Sequence, residues 1–180
     1  MTDRRFAPLT PLALVLAFAV AGCGRSEKEQ LAADYCPQPF QVQDAQTLTR
    51  FAPGSGHDPR NVMFEAGLLD SAASCSLGKR QMNVDLVLRI AVSPGPAVSR
   101  GVTSVPYFVR VLDGSGRIVQ GQEFNADFEL TLSGGRRGSK EELSLTLPFE
   151  KPSDTVNYRI AVGLKPTPEE LEYNRRNAGR

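Results

Sequence analysis

Gln81-Met-Asn-Val-Asp-Leu-Val-Leu-Arg-Ile-Ala-Val-Ser93 sets an apolar side chain at every second position: Met82, Val84, Leu86, Leu88, Ile90 and Val92. Gln81, Asn83, Asp85 and Arg89 fall between them. Successive side chains of an extended chain point to opposite faces, so this run predicts a strand with one buried face. A helix would need its apolar positions three and four apart, and they are not.

The same period recurs downstream. Val105, Tyr107, Val109 and Val111 alternate with Arg110 and others, Asp113-Gly-Ser-Gly116 supplies a turn, and Ile118 opens a strand that runs through Phe124. Asp-Gly between two apolar runs is a hairpin signal. Phe128, Leu130 and Leu132 either extend that strand or form another. The loop Ser133–Lys140 separates them from Leu143, Leu145 and Leu147, and Pro148 ends that strand or places it at an edge. Val156, Tyr158, Ile160 and Val162 predict the last strand; upstream, Val62 to Leu69 predicts a strand and Gln41 to Phe51 a short element.

About six or seven short strands with regular turn signals and no long helical pattern between them imply antiparallel pairing. The fold expected is an all-β antiparallel sandwich over residues 35–180, with a small open barrel as the alternative. Its general shape resembles immunoglobulin-like and fibronectin type III domains. The Cys…Trp…Cys signature of true immunoglobulin domains is missing, because the chain has no Trp. At the end of the chain, Thr167 is a helix N-cap, Pro168 the first helical residue and Glu170 the return arm of a capping box, which predicts a short C-terminal helix docked through Leu171, with Tyr173 as a second contact.

The start of the chain carries an address. Arg4 and Arg5 precede an apolar run from Leu12 to Ala21, and Val20-Ala-Gly-Cys23 follows. This resembles a bacterial lipoprotein signal peptide over residues 1–22, with a lipobox ending in Cys23. The run is shorter than the roughly 20 apolar residues that span a bilayer. The resemblance implies a thioether-linked diacylglycerol at Cys23 and a protein lipid-anchored in the cell envelope, facing the periplasm. Gly24 in place of Asp after that Cys implies the outer rather than the inner membrane. Gly24–Asp34 is polar, and residues 23–34 are expected to be a lipidated, solvated tether.

Of the three Cys, lipidation of Cys23 leaves Cys36 and Cys75, the pair expected to form a disulfide in an oxidising compartment. No Cys-x-x-Cys spacing points to redox chemistry. Removing residues 1–22 takes Arg4, Arg5 and Asp3 from 21 basic and 20 acidic side chains, leaving 19 of each. Such a balance recommends no nucleic-acid partner. Tyr35-Cys-Pro37, Val105-Pro-Tyr-Phe108 and Leu171-Glu-Tyr-Asn-Arg175 together are similar to a group of small proteobacterial lipoproteins, which carries no activity over to this chain.

His57, in Gly54-Ser-Gly-His-Asp58, is the chain's single imidazole, set in a Gly-rich turn without an obvious orienting partner. The sequence holds no nucleophile elbow, zinc helix, Walker loop or dinucleotide fingerprint. No catalytic residue, metal or cofactor is therefore expected. Arg136 and Arg137 at a hairpin tip, and Arg175, Arg176 and Arg180 in the C-terminal segment, are candidate contacts for an acidic partner, and the Pro94-Gly-Pro96 loop offers further surface. The expected function is non-enzymatic, a protein-binding or envelope-scaffolding module. The alternative is a small-ligand receptor or an enzyme. A pocket with convergent polar groups would favour that alternative; an open strand edge favours protein binding.

Overall fold

The alternating run at Gln81 lies at the centre of one sheet of a two-layer β-sandwich. The computed structural model describes residues 26–177; the expected signal segment 1–22, the lipidation position Cys23 and Arg180 lie outside the described residues. The elements are α1 (Glu27–Asp34), β1 (Pro39–Gln41), β2 (Thr47–Phe51), β3 (Val62–Leu77), β4 (Gln81–Pro94), β5 (Gly101–Leu112), β6 (Ile118–Leu130), β7 (Arg137–Pro148), β8 (Arg159–Leu164) and α2 (Pro168–Asn177). They form two four-stranded sheets, ordered β1-β8-β5-β6 and β2-β3-β4-β7. Apart from the parallel β1–β8 pair, neighbouring strands run antiparallel. No strand pairing joins the two sheets, so the fold is a sandwich and not a closed barrel.

The alternating rows form the core. Met82, Val84, Leu86, Leu88, Ile90 and Val92 of β4 pack with Val105, Tyr107, Val109 and Val111 of β5 and with Ile160, Val162 and Leu164 of β8, all of them essentially without solvent contact. Burying a side chain of this size contributes about 1.5–3 kcal/mol, and this is the main force holding the layers together.

Several elements differ from the sequence expectation, each for a local reason. β3 does not stop at Leu69. Leu68 stands opposite Ile90 and Asp70 opposite Arg89, so Leu69 is the extra residue of a bulge and is itself 52% exposed. The bulge shifts the alternation by one, and Ala73, Cys75 and Leu77 then face the core. β6 is continuous through Phe128 and Leu130, whereas Leu132 lies beyond it and is exposed. β7 begins at Arg137, so the second half of the expected 133–140 loop is strand, paired with β4 from Val92 to Arg89.

Val156 is not in the last strand; it sits exposed in a 3-10 turn, Pro152–Asn157. There the Asp154 carboxylate accepts the N–H groups of Glu150 and Lys151 at 3.2 and 3.0 Å. The buried Thr155 hydroxyl lies 2.8 Å from the carbonyls of Tyr35 and Pro152. These bonds satisfy the backbone locally and hold off the extended conformation until Arg159. The hairpin turn after β5 is as expected, with the Ser115 hydroxyl and then the Arg117 N–H holding the Asp113 carboxyl well below the usual carboxylate range.

The segment expected to be tether contains α1. Ser26 caps it, accepting from the Glu29 N–H at 3.3 Å, while Glu29 accepts from the Ser26 N–H at 2.9 Å. Ala32 is 1% exposed in the contact of α1 with β3. Residues 27–34 therefore belong to the folded domain.

Candidate functional site

α2 forms as the capping box predicts and Tyr173 docks, but the residue it buries is Glu170 and not Leu171. Leu171 is only half-buried, whereas Glu170 is 5% exposed. One Glu170 oxygen accepts from the Arg50 guanidinium of β2; the other accepts the Thr167 N–H at 2.8 Å. The Glu170 N–H in turn donates to the Thr167 hydroxyl at 3.3 Å. A single carboxylate thus closes the helix N-terminus and ties α2 to the edge of β2. Asn174 donates to the Thr47 carbonyl at 2.7 Å, so α2 also covers part of the β2 edge.

His57 belongs to this junction. Its ring stacks on Tyr173 at 5.6 Å and 13°, and Phe51 meets both rings edge-on at 5.1 Å. The Gly54–Gly56 turn, with both glycines at positive φ, brings the imidazole back over α2. The sequence treats His57 as an isolated turn residue, because its ring partner lies more than a hundred positions away. Among the described residues, no His/Cys/Asp/Glu group of three or more is placed to hold a metal ion.

Cys36 and Cys75 form a disulfide with Cα atoms 5.6 Å apart. It ties the segment after α1 to the far half of β3. The Pro94-Gly-Pro96 loop is less available than expected: the Gly95 N–H donates to Met63 O and the Ala97 N–H to Val62 O, both at 2.9 Å. A Cβ at Gly95 would stand 2.2 Å from the Val62 oxygen, so glycine is required by close approach.

The candidate arginines do not form one patch. Arg175 pairs with Asp44 at 2.8 Å, and Arg176 with Glu172 one turn back at 3.6 Å. Arg137 opens β7 opposite Val92. Arg136, just before it, lines a groove of about 650 Å³ on the outer face of the β2-β3-β4-β7 sheet. Thr47, Gly67, Ala91 and Gly138 stand in register across all four strands there. Beside that row lie Thr49, Glu65 and Ser93, and Tyr173, Asn174 and Asn177 of α2 form a wall. None of these registers was legible in the sequence, since they depend on which strands become neighbours.

The four sheet edges differ. β1 has three residues, and β2 is covered by α2, which leaves β6 and β7 as the long edges. Between them the Tyr107 hydroxyl donates to Glu141 at 3.2 Å, and burial followed by the Glu141 charge pushes the phenol well above its ordinary range. On β6, Glu123 pairs with Arg110 and Lys165, and Asp127 accepts from Ser104. Ile118-Val-Gln-Gly-Gln122 carries no charge, and its Ile118 and Val119 are 61% and 54% exposed. Gln120 lies opposite Val111 and Ile118 opposite Leu112, so Val119 is an extra, bulged residue. No family model matches the chain, and no curated protein is similar to it.

Proposed function

We propose that this chain is a lipid-anchored envelope protein that acts without catalysis, holding a protein partner by strand addition at the β6 edge. The observation that carries the reading is the uncharged run Ile118–Gln122 on a long edge strand, with two large apolar side chains in solvent. Natural edges are usually blunted by charge, cover or brevity, and β1 and β2 have the last two devices. An added strand would bond to backbone groups along β6, where the Arg110 guanidinium now donates to the Gln122 carbonyl at 2.8 Å, and Ile118 and Val119 would supply side-chain contacts. Anchoring through Cys23 rests on the lipobox, the outer-membrane address on Gly24 after it, and the Cys36–Cys75 bridge accords with an oxidising, periplasmic compartment. A tethered partner-binding module gains effective concentration from the shared surface.

The test is capture of crosslinked partners from membranes carrying the full-length protein. Val119→Lys with Gln122→Lys should abolish a discrete adduct, and Cys23→Ser should release the protein from the membrane fraction. An adduct indifferent to the edge lysines would refute strand addition; unchanged membrane association and mature mass in Cys23→Ser would refute the anchor.

A further inference from the structure

Building on strand addition at β6, we infer that the added strand alternates basic and apolar side chains, with its Lys or Arg residues set against Asp127 and Glu129. The direction of the β6 backbone follows from its neighbours. The Lys165 N–H donates to Pro106 O at 2.8 Å, so Pro106, Phe108 and Arg110 turn their backbone groups towards β8, and Tyr107, Val109 and Val111 turn theirs towards β6. Opposite Val105, Tyr107 and Val109 stand Ala126, Phe124 and Gln122, which bond back to β5. The Arg110 side chain agrees: its Nη1 donates to Val109 O at 3.2 Å and to Gln122 O at 2.8 Å, which places both carbonyls in the gap between β5 and β6. The N–H and C=O groups of Glu123, Asn125, Asp127 and Glu129 therefore point out of the sheet, along the edge where a new strand would meet them.

The same parity sorts the side chains. Glu123, Asn125, Asp127 and Glu129 are exposed on the outer face, whereas Phe124 is half-buried and Ala126, Phe128 and Leu130 are buried. A strand paired here would set its own Cβ atoms about 4.5–5.5 Å from the residues opposite, where unlike charges favour the pair and like charges oppose it. Glu123 is already engaged by Arg110 and Lys165. Asp127 accepts from the Ser104 hydroxyl and Glu129 lies opposite Val102; neither has an ion pair among the described residues. Two carboxylates alone would signify little. These two stand beside backbone groups that another strand can pair, and a strand with Lys or Arg at alternate positions matches them. Its other side chains would face inwards, towards the side of the sandwich where β6 and β7 meet. Phe124 and Leu143 are partly buried against the core there, so apolar residues fit. A second copy of this chain does not fit, because joining two β6 edges would oppose one acidic row with another.

The test is a two-dimensional amide NMR titration of the full chain with an acetylated, amidated peptide alternating four Lys with three Val, followed by hydrogen exchange. The peptide should slow exchange at the amides of Glu123, Asn125 and Asp127 and leave those of Gln122 and Phe124, already bonded to β5, unchanged. A peptide with Glu in place of Lys should bind about tenfold more weakly, the effect of two charge pairs. A peptide of the same Lys and Val content in two blocks should protect nothing, since charge without alternation cannot form the strand. Asp127→Asn with Glu129→Gln should remove most of the preference for Lys, and Asp127→Lys with Glu129→Lys should reverse it; both positions are exposed, and an otherwise unchanged spectrum shows that the variants fold. Equal protection by the Lys and Glu peptides, or protection by the block peptide, would overturn the basic partner while leaving the edge reading intact. No protection by either alternating peptide would overturn both. Protection that grows with protein concentration in the absence of peptide would overturn the inference in favour of a second copy.

Discussion

Replacing Glu170 by Ala removes the one side chain that serves both the N-terminus of α2 and the edge of β2. Two costs follow. The Thr167 N–H loses its acceptor at 2.8 Å, and loss of a helix cap costs about 1 kcal/mol. Arg50 loses its carboxylate while its guanidinium stays 5.7 Å over the Phe64 ring. Leaving such a group unpaired costs about 1–3 kcal/mol, and because a third of the Arg50 side chain reaches water the lower half of that range applies. Together the loss is about 2–3 kcal/mol, or roughly 5–10 °C in melting temperature for a domain of this size. Glu170→Gln keeps both acceptor and cap and should lose only about 1 kcal/mol. Urea denaturation followed by far-ultraviolet circular dichroism measures this. In an Arg50→Met background the same Glu170→Ala change should cost only the cap, about 1 kcal/mol, since the pair is already gone. An Ala variant within about 0.5 kcal/mol of the parent would refute the view that this carboxylate anchors α2.

The remaining predictions use other parts of the fold. Cys36→Ser with Cys75→Ser should cost about 4 kcal/mol by loop closure over the 39-residue separation, seen as a lower urea midpoint; a shift under about 1 kcal/mol would show that the bridge constrains little. Gly95→Ala drives a methyl into the Val62 carbonyl and should cost about 1–3 kcal/mol; a neutral result would mean the loop stands further from β3 than 2.9 Å hydrogen bonds allow. His57→Ala removes a stack on Tyr173 and should cost about 1 kcal/mol without affecting partner capture; loss of capture in a folded variant would move the functional site to the α2 junction.

What the sequence shows of this fold depends on how local each signal is. The β4 and β5 rows were legible because alternation needs only neighbours two positions apart, and Thr167 with Glu170 marked α2 because a capping box spans four residues. Ser26 and Glu29 form the same box and mark α1 in the same way, although polarity alone suggests a tether. Periodicity fails at Leu69, where a bulge reverses the parity of β3 and makes a continuous strand look finished. It also overextends β8 to Val156, because apolar spacing does not register a turn held by the Asp154 and Thr155 side chains. Long-range features were out of reach: the His57–Tyr173 stack, the Arg50–Glu170 pair and the Thr47–Gly67–Ala91–Gly138 row exist only once the strands and α2 are in place.

Site-specific photocrosslinking in intact cells tests the central claim most directly. A photoreactive amino acid at Gln122 on the β6 edge is compared with one at Lys79, in the exposed β3–β4 connection of the other sheet. The account predicts a discrete protein adduct from position 122 that disappears when Val119 is also changed to Lys, and none from position 79. Equal adducts from both positions, or an adduct from 79 alone, would contradict partner binding at the β6 edge.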